Sequence, residues 1–117
     1  MCIRDSATLV GLQNIISGYQ CGTVYKPIFL EAEGSAALAM YLRAGLKPPK
    51  TLINGTTEDT VANFAVPSIL EVPEWVTAAT IEKTVVKDNF VPASQICSGS
   101  PPSGPSYAAD CATYKIK

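Results

Sequence analysis

From Thr8 to Ser17 the apolar side chains Leu9, Leu12, Ile15 and Ile16 follow the spacing of one helical face. Ser6 or Thr8 can cap that helix, and Gly18 suits a left-handed stop. Gln20 to Lys26 loses the helical period, and its Thr23-Val24-Tyr25 run predicts a strand. Pro27 fits the first turn of a second helix. That helix runs from Ile28 to Ala44, rich in Ala, Leu, Met, Phe and Tyr, until Gly45 ends it. Its charges are Glu31, Glu33 and Arg43 alone, so most of its circumference is apolar or small. Such a helix is expected to pack on more than one side.

Beyond it, Leu46 to Lys50 is a linker in which Pro48-Pro49 blocks further helix. Thr51 to Ile53 is expected to form a short strand before an Asn54-Gly55 turn. Residues 56–63 are polar and read as loop, and Val66 to Val72 as another strand with Pro67 at its edge. Thr77 or Thr80 can cap a helix over Ile81 to Lys87, with Ile81 and Val85 four apart, before an Asp88-Asn89 turn. This alternation predicts an α/β unit with partly parallel strands. So few strands cannot cover the apolar helix, so the unit reads as an incomplete piece of a larger α/β protein, with sheet edges that need partners.

The two ends differ from the middle. Residues 1–6 resemble translated adapter sequence and are read as a non-native segment; they contain no apolar core of signal-peptide length. The uncharged stretch from Ser6 to Tyr25 carries Thr, Gln, Asn, Ser and Gly, which excludes a membrane span. Residues 98–117 are read as a surface tail, because Ser98 to Ser106 is a Pro/Gly/Ser run that sustains neither helix nor strand.

Composition narrows the chemistry. Hydrophobic residues make up 47% of the 117, enough for a packed core. A net charge of −1 leaves no footprint for nucleic acid or an anionic membrane. With no histidine, a Ser-His-Asp or Cys-His catalytic group and a His-ligated metal are excluded. Glu31 and Glu33 do not share a helix face, and Glu58-Asp59 sits in the polar loop, so neither pair suggests acid–base chemistry. Trp75 could stack on a sugar ring, but packing is the favoured reading. Asn54-Gly55-Thr56 matches a glycosylation acceptor, with a plain turn the favoured reading. Cys2, Cys21, Cys97 and Cys111 allow three full pairings, and no Cys-x-x-Cys points to zinc. Cys97 and Cys111 bracket the Pro/Gly/Ser run, so a disulfide between them would close it into a loop. Cys21 on its strand reads equally well as a buried thiol.

Two blocks carry a resemblance. Gly11-Leu-Gln-Asn-Ile-Ile-Ser-Gly18 followed by Cys21-Gly-Thr-Val-Tyr-Lys-Pro-Ile28 is the first; Val66-Pro-Ser-Ile-Leu-Glu-Val72 followed by Ile81-Glu-Lys-Thr-Val-Val-Lys-Asp-Asn-Phe90 is the second. Over about residues 7–97 they resemble the C-terminal region of type I periplasmic sugar-binding proteins of bacterial ABC transporters, and within them the D-xylose-binding branch. The resemblance implies two Rossmann-like lobes joined by three crossing segments, with a monosaccharide between them and delivery to a membrane permease. Residues 7–97 would then be the C-terminal part of the sugar-binding domain. The strand near 20–26 would cross the hinge, the helix from Pro27 to Ala44 would belong to the other lobe, and residues 54–63 would bring the chain back. Location would be extracytoplasmic, in the periplasm or as a cell-surface lipoprotein, with no cofactor and no enzymatic step. Some relatives also resemble this chain in carrying a cysteine pair near the C-terminus, which fits an oxidising compartment.

Lys26 is the candidate ligand residue. A cation just before a helix opposes the helix dipole, which suggests that the ammonium has another use. It offers three donors to sugar hydroxyls; a solvated or ion-paired lysine is the plain alternative. The family's Gly-Gln-Asp-Ala motif supplies an accepting carboxylate just before the first helix. Here Ser6 precedes Ala7 and Asp5 lies one residue back, so the motif is broken and Asp5 is a weaker candidate. The chain alone is expected to bind sugar poorly or not at all. The rival readings are a ligand-sensing domain of a sugar-responsive regulator or chemoreceptor of the same fold, and a small α/β enzyme. A Gly-rich phosphate loop and a nucleophile elbow are both missing from the sequence, which weighs against the enzyme.

Overall fold

The computed structural model describes residues 3–117, with side chains from Ser6 onward. The chain divides into two compact units: one comprises the residues up to Pro27 together with Pro73–Lys117, the other Ile28–Val72.

The first unit is built on a three-stranded mixed sheet. Strand β1 (Ile3–Asp5) lies parallel to β2 (Gly22–Tyr25), and β5 (Glu74–Val76) pairs antiparallel with β2 on its other side. Helix α1 (Leu9–Ile16) connects the two parallel strands, as a parallel pair requires a crossover. Thr8 caps it by accepting from the Gly11 N–H at 3.2 Å, and Gly18 turns the chain at φ 76°. The predicted face is the one buried: Leu12, Ile15 and Ile16 are in the core, whereas Val10 is exposed. Tyr25, Val76, Ile81, Val85, Val91, Ile96, Cys111 and Ile116 complete this core. Each buried aliphatic side chain there contributes about 1.5–3 kcal/mol.

Ile3–Asp5 form a sheet strand and supply the parallel partner of β2. Other elements of this unit differ from expectation. β5 is absent from the sequence reading, because three residues carry no detectable alternation. Ile81–Lys87 winds as a π-helical turn over Glu82–Val86 instead of an α-helix. Its bonds run from Val86 N–H to Ile81 O and from Lys87 N–H to Glu82 O, each 3.1 Å. The β-branched run Thr84-Val85-Val86 favours α poorly, and the Thr84 hydroxyl donates back to Thr80 O at 2.9 Å. Ile81 and Val85 are nonetheless both buried.

The C-terminal stretch is not a surface tail. After α3 (Ala93–Ile96), Ser106 caps helix α4 (Tyr107–Tyr114), which returns Cys111 and Ile116 to the core. Cys97 and Cys111 are joined by a disulfide. The loop between them is tied to α1 and to the turn that follows it. Tyr19 donates to Ser103 O at 2.6 Å, Ser17 to Asp110 Oδ2 at 3.1 Å, and Gln13 Nε2 to Ser98 O at 3.4 Å.

The second unit holds helix α2 (Ile28–Arg43) and a hairpin of β3 (Gly55–Asp59) and β4 (Phe64–Ser68). Gly45, at φ 67°, follows the helix as expected. Thr51 and Leu52 form a turn and Ile53 is irregular, so no strand precedes Asn54. The residues read as polar loop contain β3, and β4 begins two residues before the predicted strand. The Thr60–Asn63 connection is held by Asp59 Oδ1, which accepts from the Val61 and Ala62 N–H groups at 2.9 and 3.0 Å, with Asn63 at φ 51°. Residues 54–63 lie within this second unit, whose boundary falls between Val72 and Pro73. α2 buries none of its residues.

Candidate functional site

Because β1 and β2 are parallel, their carboxyl ends meet one sheet edge, where Asp5 stands opposite Val24 in register. Ligands of open α/β sheets gather outside such ends. Ser6 leaves β1 with a φ of 107° and offers its carbonyl to the Thr8 N–H at 2.9 Å. A non-glycine residue there costs on the order of 1–3 kcal/mol. Lys26 leaves β2 one residue beyond the Tyr25–Glu74 pair and is exposed. The fold thus brings Asp5, Ser6 and Lys26 to the same edge at the level of the backbone. The side chain of Asp5 lies outside the described ones, as does Cys2 entirely.

Tyr25 anchors this edge. It is 1% exposed, donates its hydroxyl to Asp88 Oδ2 at 3.1 Å, and sets its ring 5.2 Å from that of Phe90 at a tilted angle. Burial first, and then the hydrogen bond to the Asp88 carboxylate, push the Tyr25 hydroxyl up to about 12. Asp88 sits in the expected turn, but its role as acceptor is invisible in sequence, since Tyr25 and Asp88 are far apart along the chain. Cys21 precedes β2 and is exposed, not buried.

Trp75 serves packing: its indole covers Gly22 of the neighbouring strand. Asn54 is not part of a turn, since Gly55 opens β3. Its amide bridges the hairpin ends, donating to Leu70 O at 2.9 Å and accepting from the Leu70 N–H at 2.7 Å. Concavities occur within the second unit, including an apolar groove of about 500 Å³ between α2 and the hairpin, lined by Leu38, Leu42, Ile53 and Val66. Among the described residues no cluster of three or more His, Cys, Asp or Glu is placed to hold a metal.

No family model matches the chain. Over 93 residues, 79% of its length, it is 38% identical to the D-xylose-binding periplasmic protein of Escherichia coli (strain K12). The likeness is to a periplasmic sugar-binding protein. That relative is not an enzyme. The chain spans 26% of the relative's length, and the match is consistent with a C-terminal fragment of a protein of that kind. The mixed helices and strands fit an α/β fold. Among the described residues no helix is long and apolar enough to cross a membrane.

Proposed function

We propose that the chain is the C-terminal part of an extracytoplasmic solute-binding protein that delivers a xylose-like monosaccharide to the permease of an ABC transporter. The likeness to the D-xylose-binding periplasmic protein carries this reading. In it, the unit containing β1, β2 and β5 belongs to one lobe of a two-lobed protein. Residues 28–72 belong to the other, with crossings near 26–28 and 72–73. Two features support that division: the contact boundary after Pro27, and the exposure of apolar α2 residues such as Met40 (73%) and Leu42 (63%). The missing partner surface would come from the rest of the protein.

Lys26 binds the sugar in this reading, donating from its ammonium to hydroxyls that approach the carboxyl edge of β1 and β2. Asp5 would accept from them, although the residue directly before Ala7 is Ser6. A sugar held by both lobes binds the closed state better than the open one, which closes the protein without covalent chemistry. The closed form then docks on the permease. Titration calorimetry of the full-length protein against xylose, ribose, glucose and arabinose tests the proposal. Saturable binding of one pentose or hexose, lost in Lys26→Ala, is expected; no sugar binding would refute it.

A further inference from the structure

We propose that the Cys97–Cys111 bond is made and broken through one sulfur. Cys97 is the entry thiol that meets a low-molecular-weight thiol or disulfide, and Cys111 is the resolving thiol that helix α1 holds opposite it. The inference is independent of the sugar-binding reading, since it concerns residues of the first unit alone.

The two cysteines stand in different surroundings. Cys111 is 3% exposed, in the core that also holds Ile96 and Ile116. Cys97 follows α3, half-buried at the margin of that core. Exchange needs direct approach of one sulfur to another, so access decides which cysteine reacts with a solute. Helix α1 fixes the backbone beside both cysteines. Gln13 Nε2 donates to Ile96 O and Ser98 O, each at 3.4 Å, on the residues flanking Cys97. Ser17 donates to Asp110 Oδ2 at 3.1 Å, next to Cys111. These bonds involve no sulfur, so reduction leaves them in place. The Cα atoms of the pair are 5.8 Å apart, within the normal span of a disulfide. A flexible connection with a sequence separation of 14 would lose entropy on closing. With α1 docked on both ends that loss is already met, and the resolving step is a reaction between neighbours.

In the oxidising direction the Cys97 thiolate attacks one sulfur of a disulfide such as oxidised glutathione. A mixed disulfide forms at Cys97 and one glutathione thiolate leaves. The Cys111 thiolate then attacks Cys97 Sγ, the native bond forms, and the second glutathione thiolate leaves. The two protons given up by the cysteines pass to the two departing thiolates. Two cysteine thiols are oxidised, and one glutathione disulfide is reduced to two thiols.

The test mixes the reduced full-length protein with oxidised glutathione, below the Tm of each variant. Samples are quenched with acid at intervals, and peptide masses locate the adducts. The wild type should pass to the Cys97–Cys111 bond with little adduct on either cysteine. Cys111→Ser should accumulate glutathione on Cys97. In Cys97→Ser, Cys111 should take it up about tenfold more slowly, because burial shields it. Gln13→Ala and Ser17→Ala should each slow the resolving step about threefold to tenfold, the size expected for one lost hydrogen bond, so that adduct builds up on Cys97. Their entry rate, read in a Cys111→Ser background, should stay at the Cys111→Ser value. Equal uptake by the two single cysteines would overturn the entry role of Cys97. Unchanged resolution in both α1 variants would overturn the holding role of α1. So would a faster entry step in them, which would mark a general loosening of the structure. Ser17→Ala, which removes one hydroxyl, gives the answer should Gln13→Ala fail to fold.

Discussion

Gly22 and Trp75 are diagonal neighbours on one face of the β2–β5 ladder, and the indole lies directly against the glycine backbone. A Cβ on Gly22 would stand 2.5 Å from Trp75 Cζ2 and 2.8 Å from the Val76 carbonyl oxygen. An aromatic ring covering a strand glycine replaces the side chain that the glycine lacks. That use leaves Trp75 half exposed, at 50%, in a packing role. Gly22→Ala should therefore cost about 1–3 kcal/mol by overpacking, measured as a lower denaturant midpoint. Adding Trp75→Leu should recover only part of the loss, because the clash with the Val76 carbonyl stays. A neutral Gly22→Ala would contradict the contact.

The disulfide between Cys97 and Cys111 closes a loop with a sequence separation of 14. On the chain-entropy model a loop of that size stabilises by about 3 kcal/mol. Cys111 is also a core residue, at 3% exposure, so the bond holds α4 where Ile116 can pack. Unfolding of the first unit with and without a dithiol reductant should differ by that amount. Cys97→Ser should fall to the same midpoint in either condition. A midpoint indifferent to reductant would show that α4 holds its place by packing alone.

Tyr25 gives the first unit an alkaline weakness. Its pKa is raised to about 12 in the folded protein, against about 10 for the unfolded chain. Above pH 10 the unfolded state gives up this proton while the folded state keeps it, so stability falls as pH rises. The contribution is complete below pH 10 and is lost progressively up to about pH 12. Denaturant midpoints between pH 9 and pH 12 should decline more steeply for the wild type than for Tyr25→Phe, which removes this titration and leaves that of the lysines. Parallel declines would place the Tyr25 hydroxyl in water.

Much of this was legible in the residue order where the signal is local. The α1 face, its Thr8 cap and the Gly18 stop follow from periodicity and glycine chemistry, and the β2–α2 junction follows from Tyr25-Lys26-Pro27. Elements whose cause is distant were not legible. β1 and β5 are three residues each and exist because β2 pairs with both. β3 consists of polar residues that a hairpin partner makes into a strand. The C-terminal helix hides behind a Pro/Gly/Ser run, and what docks it is Ile116 and Cys111, not its own amphipathicity. At the candidate site, Lys26 stands out by its place before Pro27. Asp88 does not, because its acceptor role depends on a contact between segments that sequence spacing does not reveal.

The apolar surface of residues 28–72 leads to the last prediction. Ile28, Phe29, Met40 and Leu42 are between 46% and 73% exposed, and α2 has no buried position. A helix with no buried face draws little stability from tertiary packing, which is the main source for most protein helices. In the 117-residue chain alone, amides of α2 should exchange with solvent far faster than those of α1 or β2, whose neighbours include Leu12, Ile15 and Tyr25 at 3% exposure or less. Leu42→Ser should then change the stability of the isolated chain by less than about 0.5 kcal/mol. Leu12→Ala should cost about 2–5 kcal/mol. In the full-length protein, the proposed other lobe would cover α2, its amides should become protected, and Leu42→Ser should become costly. Hydrogen exchange followed by mass spectrometry on both forms reads the difference directly. Equal, slow exchange of α2 in the two would mean that the helix needs no covering surface, and would remove a main structural support for the two-lobed reading.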